Sequence, residues 1–499
     1  MQTLDLIIIF GYLIGITAFG IWYAGKQETT EDYFVGDRSV PWWAIAMSIV
    51  ATETSTITFV SVPGVAFAKG GNFQFLQLVF GYMLGRVVIS LIFIPLYFKG
   101  ELQTVYQLLG DRFGTRVKML ASGLFVIMRN IADGIRLLLT AIVLAAVYMS
   151  FNPGADQTMI IVGSIILLGI VMIVFTFYGG IEAVIWVEVV QLVIYIGGAV
   201  AAAVVLINNI DGGFSSAVAI GQQFDKFDVF DFNLDFTKTY TFWGGLLGGC
   251  FLTMSTHGTD QYLVQRYLCT DKPRSAATAL LSSGAVVLAQ FIGFLFIGVL
   301  LFAFYGPYKS PEYAQAGVPG SGIAGTFPFL KPDQVFPNFI TEHMPAGLSG
   351  LVVAAIFAAA LSSSLNSIAA TAINDLYRPF RQNISDKQLL RLSGILTVVI
   401  GIIQIVVAVV FMQTGESALN LALSVASLIN GPILGVFLVG TFLKKAREKH
   451  ALIGMSASIA LMIYILLGTK IAWPWYALIG SITTVVVAYI ATLIFRTND

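Results

Sequence analysis

The second apolar segment of the chain reads AMSIVATETSTITF over residues 46–59, and Pro63 follows it closely. Glu53 lies at its centre, and five hydroxyl side chains lie between residues 52 and 58. Because Thr and Ser compete for backbone hydrogen bonds and Pro removes a donor, we expect the helix to break here. A broken helix exposes carbonyl oxygens, and discontinuous helices at mid-depth hold the ion and solute sites of transporters. The alternative is a Ser/Thr face that packs against another helix, which would leave Glu53 unexplained.

The composition of the 499-residue chain is that of an integral membrane protein. Hydrophobic residues make up 57% of it and charged residues 11%, with a mean hydropathy of +0.85, whereas soluble domains carry roughly 25% charged residues. Apolar runs of about 20 residues recur from end to end, the length that crosses roughly 30 Å of hydrocarbon. We therefore predict an all-α fold in one membrane domain, residues 1–499, with about thirteen spans centred near residues 14, 55, 85, 133, 168, 195, 254, 290, 362, 402, 430, 459 and 485.

Composition and motifs exclude several function classes. The formal net charge is zero, which gives no argument for binding nucleic acid. The two cysteines, Cys250 and Cys269, lack the spacing of a metal site, and we expect both to be inert. The chain shows no nucleophile elbow, zinc pattern or phosphate loop, so we expect it not to be an enzyme.

The basic residues are divided unevenly between the loops. Of the 27 Lys and Arg residues, eighteen fall in one set of alternate loops and the C-terminal tail, six fall in the other set, and Arg86, Arg129 and Arg136 fall inside spans. Basic loops stay on the cytoplasmic side of a membrane. This predicts a multi-pass protein of the plasma (inner) membrane with its N-terminus outside and its C-terminus in the cytoplasm. The two longest external loops, near 209–240 and 306–346, are expected to carry short helices.

The seventh predicted span repeats the features of the second. Residues 244–249 read GGLLGG and lead into the polar run Thr253–Asp260, which is too polar and glycine-rich for a continuous helix. Two weak helices five spans apart indicate an inverted repeat of five spans each. We place the core repeats at about 41–208 and 241–443, and peripheral helices at about 3–25, 450–467 and 474–495.

The ninth predicted span carries a run of small and hydroxyl side chains, AAALSSSLNS over residues 358–367. Helix spacing brings the Ala359 carbonyl near the Ser362 side chain, so that both can face one ion. Helix packing through small residues is the alternative for this run taken alone. The polar break in the second span favours the ion site.

The fourth predicted span has three charged residues on one helical face. Arg129, Asp133 and Arg136 are spaced i, i+4 and i+7. One acid can neutralise one arginine, which leaves a positive charge inside the membrane, and a guanidinium there suits a carboxylate that it can hold bidentately. A structural ion network that anchors the span is the alternative. For Arg86, in the third span, we expect only a structural role.

Glu188 is the second acid whose position inside a membrane span needs a physical reason. It lies in the hydrophobic run 178–191, where Glu182 is the only other charged residue, and the sequence shows no partner for it. Glu182 differs, because it lies near the start of the predicted helix, where the dipole favours an acid. An ionisable residue inside a membrane is a functional candidate, so we take Glu188 as a candidate for cation or proton coupling.

Three motifs give the chain a resemblance to a known family. They are GGIEAVIW at residues 179–186, Asp260-Gln261 followed by VQR at residues 264–266, and the serine-rich run that ends in Leu365-Asn366-Ser367 ahead of Asp375-Leu376-Tyr377. With them the chain resembles, over nearly its whole length, the sodium:solute symporter family, which includes sodium–glucose, sodium–proline, sodium–monocarboxylate and bacterial sialic acid transporters. The resemblance implies the leucine-transporter-like fold, with the second to the eleventh spans as ten core helices in two inverted repeats.

The resemblance also implies where sodium and the solute bind. A sodium site would lie between the first and eighth core helices, and its ligands would be the carbonyls of Ala51, Thr54 and Ala359 and the hydroxyls of Ser362 and Ser363. The family's solute contacts correspond to Ser55, Thr56, Thr58, Gln77, Thr253, Thr256 and Ser424, and the carboxylate-binding arginine of a sialic acid transporter falls nearest Arg136. Glu53 falls where the proline transporters have an acid linked to sodium, and we take Glu53, Glu188 and Asp260 as coupling candidates.

The chain departs from the family's pattern in ways that bear on ions and solute. Val187-Glu188 replaces the family's Thr-Asp, which leaves a second sodium site open. The serine run is shorter than the family's by about three residues, nearly one helical turn, which leaves the choice of ligand serines open. Thr256 and Gln77 stand where sugar transporters have an aromatic gate and a glutamate, and both changes weaken a sugar assignment.

The sequence therefore predicts a sodium-coupled symporter that imports a small polar solute by alternating access, with a carboxylate-bearing organic anion as the leading interpretation. Na+ is its co-transported ion, the lipid bilayer surrounds it, and we expect it to function as a monomer. A sodium-coupled sugar or amino-acid symporter is one alternative. A membrane sensor or channel on the same fold is another, although a sensor should carry a cytoplasmic signalling domain and a channel should lack a closed cation site. The sequence does not name the solute.

Overall fold

A computed structural model describes residues 1–24, 30–36, 38–54, 56–100, 102–152, 154–318, 321–361, 364–381, 384–412 and 418–495. Over these ranges the chain is helical and contains no β-strand, as expected. The α-helices in them are α1 (Thr3–Ala24), α2 (Thr30–Val35), α3 (Trp42–Glu53), α4 (Thr56–Phe67), α5 (Leu76–Ile92), α6 (Ile94–Tyr97), α7 (Gln107–Phe113), α8 (Thr115–Phe151), α9 (Gln157–Asn209), α10 (Gly213–Gln223), α11 (Gly249–Gly258), α12 (Gln261–Leu268), α13 (Pro273–Tyr305), α14 (Pro332–Glu342), α15 (Leu348–Leu361), α16 (Leu365–Thr371), α17 (Asp386–Phe411), α18 (Ala418–Phe442), α19 (Glu448–Gly468) and α20 (Tyr476–Ile494).

Tighter and wider helical turns complete the described chain. Two segments are π-helical, Gly244–Gly248 and Ala372–Tyr377. The 3₁₀ turns are Phe73–Phe75, Pro307–Lys309, Pro311–Gln315, Arg378–Phe380 and Trp473–Trp475. The two long loops expected to carry short helices contain α10 and α14, so that expectation is confirmed.

Most of the long helices can cross a bilayer. In the described part of the chain, ten segments are long and apolar enough to do so, and the bent pair α3 and α4 would make an eleventh. α9 supplies two of them, Gln157–Phe177 and Ile181–Asn209, because a helix of 53 residues at about 1.5 Å per residue exceeds the bilayer thickness. The predicted spans near residues 254 and 362 correspond to interrupted helices, α11 with α12 and α15 with α16. The all-α membrane fold is confirmed.

The break predicted in the second span lies between α3 and α4. The axes of the two halves differ by 56°. Thr58, in the first turn of α4, donates its hydroxyl to the carbonyl oxygen of Glu53 over 2.7 Å. This bond satisfies one of the carbonyl groups that an ending helix leaves without a partner. Ser55, between the halves, lies outside the described residues.

The seventh span is interrupted in a comparable way. α11 ends at Gly258, and Asp260 caps α12 by accepting a hydrogen bond from the backbone N–H of Tyr262 over 2.9 Å. The glycine-rich segment before α11 packs closely on α5, since a Cβ on Gly81 would overlap the carbonyl of Gly245. Small residues allow such backbone approach inside a membrane.

The two interrupted pairs, α3 with α4 and α11 with α12, each pack against the helix that follows the other pair. α13 lies against α3 and α4, and α5 lies against α11. α8 and α18 pack against each other and close the centre of the bundle. Such an exchange of partners is what two halves related by a pseudo-twofold axis would produce. The repeat boundaries at about 41–208 and 241–443 stay a prediction.

The N-terminal helix is fastened to α15 through Asp5, whose side chain is fully buried. Its Oδ1 accepts hydrogen bonds from the backbone N–H groups of Gly347 and Gly350 at 2.8 and 2.9 Å. N–H groups at a helix start have no intrahelical partner, and the helix dipole favours an acid there. α1 therefore fixes the first turn of α15, and the other end of α15 carries the serine-rich run.

Lys226 fastens the end of α4 that faces away from the break. Its ammonium donates to the carbonyl oxygens of Ala66, Phe67 and Ala68 at 2.9, 3.2 and 2.6 Å and lies 4.2 Å from the ring centre of Phe302. A cation is stabilising at a helix C-terminus, where carbonyl groups lack intrahelical partners. Burial disfavours the charged form and lowers the pKa of Lys226 to about 7.

We predict that Lys226→Met destabilises the protein by about 1–3 kcal/mol, because buried carbonyl groups lose their donor. The difference from wild type should grow between pH 7 and pH 9. The native pKa of Lys226 is about 7 and that of an unfolded lysine is about 10.4, so over this interval the unfolded wild type binds more protons than the native state. Wild-type stability therefore rises with pH by an increment that the Met variant lacks.

Thermal unfolding of the purified protein at the two pH values measures this difference. Lys238→Met is the matched control, because the Lys238 side chain is 54% exposed and its removal should change stability little at either pH. A gap between wild type and Lys226→Met that stays constant with pH would show that Lys226 keeps an ordinary pKa.

Candidate functional site

A central cavity of about 170 Å³ lies between the bent pair α3 and α4 and the interrupted pair α11 and α12. Apolar side chains form much of its wall, among them Phe75 and Phe291, whose rings stack at 5.0 Å. Its polar lining residues are Thr52, Glu53, Thr58, Tyr82, Arg129, Arg136, Thr253, Thr256 and His257. A cavity with a few convergent hydroxyl and guanidinium groups on apolar walls is suited to a hydroxylated anion.

Glu53 is held at the break by two side chains from other helices. Its carboxylate forms an ion pair with Arg86 of α5, and its second oxygen lies 3.1 Å from Nε2 of His257. Nδ1 of the same imidazole lies 3.0 Å from the hydroxyl of Thr256. Arg86 is 1% exposed, so its charge needs a buried partner, and Glu53 supplies it. The contact between Glu53 and His257 joins α3 to α11. The spacing of residues in the sequence did not predict this contact.

The two arginines of α8 have two acids between them, because Asp133 lies within 4.0 Å of both and Asp260 adds a second carboxylate beside Arg129. Arg129 lies 3.4 Å from Asp260, and Arg136 lies 3.8 Å from Asp133. The expectation that Asp133 can neutralise only one arginine, so that one positive charge is left over inside the membrane, is therefore wrong. The reason is that Asp260, at the start of α12, comes back against α8. A solute carboxylate would meet a guanidinium that already has a counter-charge.

Tyr262 of α12 contacts the two arginines of α8 as well as Arg266 of its own helix. The guanidinium carbons of Arg129 and Arg266 lie 4.2 and 4.4 Å from the centre of its ring. Nη1 of Arg136 lies 3.4 Å from its hydroxyl oxygen. Desolvated cation–π contacts contribute about 2 kcal/mol or more, and Tyr262 is 1% exposed. Sequence analysis missed this residue because the contact joins two elements that are far apart in the chain.

Asp133 also joins α8 to the serine-rich helix. Its Oδ2 accepts hydrogen bonds from the backbone N–H of Ser364, at 3.0 Å, and from the hydroxyl of the same residue. Ser364 directly precedes α16, so Asp133 satisfies a donor at the start of that helix. Ser362 and Ser363, the hydroxyl ligands expected for sodium, lie outside the described residues. Ala359, the carbonyl ligand expected from this segment, lies in the last turn of α15.

The bent pair α3 and α4 approaches α15 close to this point. The hydroxyl of Thr56 lies 3.1 Å from that of Thr140 on α8 and donates to the carbonyl of Ile356 over 3.3 Å. Ile356 is three residues before Ala359 on α15. Ala51 and Thr54, the other expected carbonyl ligands, are buried at the end of α3. The structure therefore brings Thr56, at the start of α4, against α15 one turn before Ala359.

The residues expected to contact the solute fall into two groups. Four of them line the cavity: Thr58, Thr253, Thr256 and Arg136. Thr56 contacts α8 and α15 instead, and Ser424 is adjacent in sequence to Leu423, which lines the wall. Ser55 lies outside the described residues. The cavity thus contains part of the expected solute site, chiefly from α4, α8 and α11.

Gln77 differs from the other expected solute contacts because its amide is used elsewhere. Its oxygen accepts a hydrogen bond from the backbone N–H of Asp231 at 2.9 Å, and its nitrogen donates to the carbonyl of Gln74 at 3.1 Å. The side chain is 1% exposed and is not among the described residues of the cavity wall. In this structure it holds the loop after α10 against α5.

Glu188 has a buried partner. Arg266 of α12 donates to both of its carboxylate oxygens, with Nε 3.2 Å from Oε2, and Thr52 donates to Oε1 over 3.1 Å. The hydroxyl of Ser48 donates to the same carboxylate, and both charged side chains are fully buried. The expectation that Glu188 lacks a partner is wrong, because Arg266, expected in a cytoplasmic loop, lies in α12 and points into the bundle. The coupling role of Glu188 stays a prediction.

Gln265 joins α12 to two more helices. Its Nε2 donates to the carbonyl of Phe34 and, over 2.7 Å, to Oδ1 of Asn366. The hydroxyl of Ser367 donates to its Oε1, and Asn366 donates to the carbonyl of Tyr33 over 3.2 Å. Gln265, Asn366 and Ser367 belong to the sequence motifs quoted above. Their shared role in this structure is to hold α2, α12 and α16 together.

The comparisons with known proteins agree with this architecture. Residues 33–458 match the sequence model of the sodium:solute symporter family. A sodium/sialic acid symporter of Aliivibrio fischeri is 33% identical to this chain over 99% of this chain and 94% of that protein. A sodium/sialic acid symporter of Proteus mirabilis is 31% identical over 98% of this chain and 94% of that protein.

Solved structures give the same result for the fold. A Na+-coupled sialic acid symporter, solved in a substrate-bound outward-open state, is similar with a TM-score of 0.84 and 29% identity over 99% of this chain and 98% of that one. A transporter of the nucleobase-cation-symport-1 family, at 13% identity, shares the fold with a TM-score of 0.53. The expected leucine-transporter-like fold is confirmed.

We predict that the buried pair of Glu188 and Arg266 shows strong coupling in stability. Glu188→Gln and Arg266→Gln should each destabilise the protein by about 3–5 kcal/mol, because each leaves an unmatched charge in a fully buried place. The double variant should lose less than the sum of the two single losses, because it removes both charges. Thermal unfolding of the purified variants measures all three values.

The exposed pair of Asp271 and Lys272, 3.1 Å apart, provides the control. Asp271→Asn should change stability by less than about 0.5 kcal/mol. Losses at Glu188 and Arg266 that simply add would contradict the pairing seen in the structure.

Proposed function

Because the chain belongs to the sodium:solute symporter family, we propose that its solute is a carboxylate-bearing sugar acid of the sialic acid class. The protein is a sodium-coupled symporter, and Na+ is its co-transported ion. The two relatives named for sodium and sialic acid align with almost the whole chain. A sensor or a channel on the same fold has no counterpart among these relatives.

The position of Arg136 on the cavity wall carries the solute proposal. Its contacts to Asp133 and to the hydroxyl of Tyr262 are 3.8 and 3.4 Å long. A guanidinium has five N–H donors, so it can hold a carboxylate bidentately in addition to these neighbours. Glu53 and Glu188, the acids that could have neutralised it, pair with other arginines.

Hydroxyl groups around Arg136 suit the rest of a sugar acid. Thr58, Thr253 and Thr256 border the cavity from two different helices, and their hydroxyl oxygens can accept hydrogen bonds from solute hydroxyl groups. The stacked rings of Phe75 and Phe291 provide an apolar wall for the ring of the solute. This combination of one cation, several hydroxyls and an aromatic face favours a sugar acid over a small aliphatic acid.

We place the sodium ion between the end of α3 and the end of α15. Its ligands would be the carbonyls of Ala51, Thr54 and Ala359 and the hydroxyls of Ser362 and Ser363. Support comes from the Thr56–Ile356 contact, which joins α4 to α15 one turn from Ala359. Sodium is a hard cation, and unwound carbonyl groups suit it. An ion between the halves would hold α3 and α15 at a fixed distance. We take Glu53, Glu188 and Asp260 as the acids that respond to its binding.

The direction of transport rests on the basic loops. We propose that the loops rich in Lys and Arg face the cytoplasm, that both the N-terminus and Lys226 lie outside, and that the protein resides in the inner membrane. We also propose that one chain transports by itself. Alternating access would then open the cavity first on the Lys226 side and afterwards on the α12 side.

We predict that uptake needs an inward sodium gradient and that Ser362→Ala with Ser363→Ala raises the sodium requirement. Loss of charged interactions worth about 1.5–3 kcal/mol corresponds to roughly a 10–150-fold higher sodium concentration for half-maximal uptake. Uptake of a labelled sialic acid into proteoliposomes at varied sodium measures it. Ser458→Ala is the control, because Ser458 donates to the Gly480 carbonyl in the peripheral helices. Equal uptake in potassium buffer under a proton gradient would show that sodium is the wrong ion.

We predict that Arg136→Lys weakens binding of the sugar acid by about 1.5–3 kcal/mol while sodium binding persists, because lysine keeps the charge but loses the planar fork. Calorimetry with sodium present measures the affinity. The methyl ester of the same sugar acid is the control ligand, since it lacks the carboxylate but keeps the hydroxyls. It should bind weakly to wild type and lose little more in the variant. Unchanged affinity for the free acid would end the carboxylate proposal.

A further inference from the structure

A groove separate from the central cavity runs along the outer face of α3, α9 and α13. It consists of two adjoining hollows of about 310 and 280 Å³, which share Ile196 and Val286. Trp42 and Trp43 lie at one end of this lateral groove, and Ile297 lies at the other. It opens sideways from the bundle, so its contents would come from the membrane rather than from water.

The lateral groove is lined by small residues and bordered by exposed apolar ones. Ala199, Ala289 and Gly293 are among the small lining residues, while Val200 and Val286 at the exposed rim are 58% and 40% exposed. α9 and α13 are membrane-spanning helices, so the exposed rim contacts acyl chains. Inside a bilayer no hydrophobic effect separates protein from lipid, and selective occupancy depends on close packing into a concave surface.

The length and the charge of the lateral groove point to one kind of occupant. From Ser282 to Ile297 it follows α13 for about 22 Å at 1.5 Å per residue. Half of the hydrocarbon core is roughly 15 Å deep, so the groove is long enough for one acyl chain along its whole length. Arg274 is exposed and lies in the first turn of α13, about two turns before Ser282. Trp42 and Trp43 are 44% and 43% exposed, as is typical of indoles at a membrane interface. An apolar track that ends at a cation matches a lipid chain with an anionic headgroup.

We propose that the lateral groove binds one acyl chain of an anionic phospholipid, with Arg274 at the headgroup phosphate, and that this chain steadies α3. The groove side of α3 carries Ala46 and Val50, and the next residue after Val50 is Ala51. Gln290 of the groove wall accepts a hydrogen bond from the Thr54 hydroxyl over 2.6 Å. A lipid packed here therefore touches the half-helix that ends at the sodium site. Only this second part of the proposal rests on the proposed function.

The test fills the lateral groove without disturbing its walls. A Cβ at Gly293 would meet no atom within 4 Å, so Gly293→Leu places a side chain in the lipid's position without a clash. Gly197→Leu is the matched control, because Gly197 is exposed on α9, also has no atom within 4 Å of a Cβ, and is not in the groove wall. Both variants gain similar helix propensity, about 1 kcal/mol or less.

Each variant is reconstituted in nanodiscs of mixed neutral and anionic phospholipid, and native mass spectrometry counts the lipid that stays bound. Wild type and Gly197→Leu should each retain one anionic phospholipid that Gly293→Leu lacks, and Arg274→Gln should lose the preference for the anionic headgroup. Equal retention by wild type and Gly293→Leu overturns the site. A dimer that Gly293→Leu abolishes also overturns it, because the groove would then hold a second copy of the chain.

Sodium titrations in the same nanodiscs test the link to α3. Anionic lipid should change the half-saturating sodium concentration of wild type and Gly197→Leu by about fivefold, the lower end of typical coupling, and should leave Gly293→Leu unchanged. Equal responses from all three proteins overturn the coupling. Lipid counting needs neither sodium nor solute, so a failure of the proposed transport site would leave the groove result intact.

Discussion

A membrane interior accepts charge only when it is matched, and this constraint organises the bundle. In the described part of the chain, four arginines of the core have acids beside them: Arg86 with Glu53, Arg129 with Asp260, Arg136 with Asp133, and Arg266 with Glu188. Three of the pairs join different helices, and Asp133 also holds Ser364 at the start of α16. A helix that moved alone would leave a charge unmatched, at about 2.5–3.5 kcal/mol for a residue near mid-depth. The pairs therefore fix the helices in register.

The matching of buried charges also bears on coupled transport, and α12 is the helix whose contacts it depends on most. All eight residues of α12 are buried, and three of them, Tyr262, Gln265 and Arg266, connect it to the surrounding helices. Opening the cavity on this side has to exchange those contacts for water. A sodium ion adds one positive charge to a neutral set, and a carboxylate solute removes it again. An ion and an anion bound together thus disturb the electrostatics less than either one bound alone.

The sequence was sufficient for features that depend on local chemistry, and insufficient for contacts between distant segments. The polar run around Glu53 predicted the break between α3 and α4, and the glycine-rich run before Thr253 predicted the second interruption. The charge surplus assigned to Arg136 and the isolation assigned to Glu188 were wrong for one reason. Each needed a partner from α12, and a helix of eight residues in a presumed loop gave no periodic signal that it would turn inward. The motif around Gln265 was noticed, but its role in joining three helices needed the fold.

The anchoring of α1 through Asp5 has a consequence for biosynthesis. Its hydrogen-bond partners, Gly347 and Gly350, are 342 and 345 residues further along the chain. At about 5–20 residues per second, a ribosome would need roughly 17–70 s to produce them after Asp5 has emerged. α1 is then the first helix to enter the bilayer, and its contact with α15 forms only after most of the chain has been made. Its surface is apolar on nearly every side, so α1 is stable against lipid until α15 arrives.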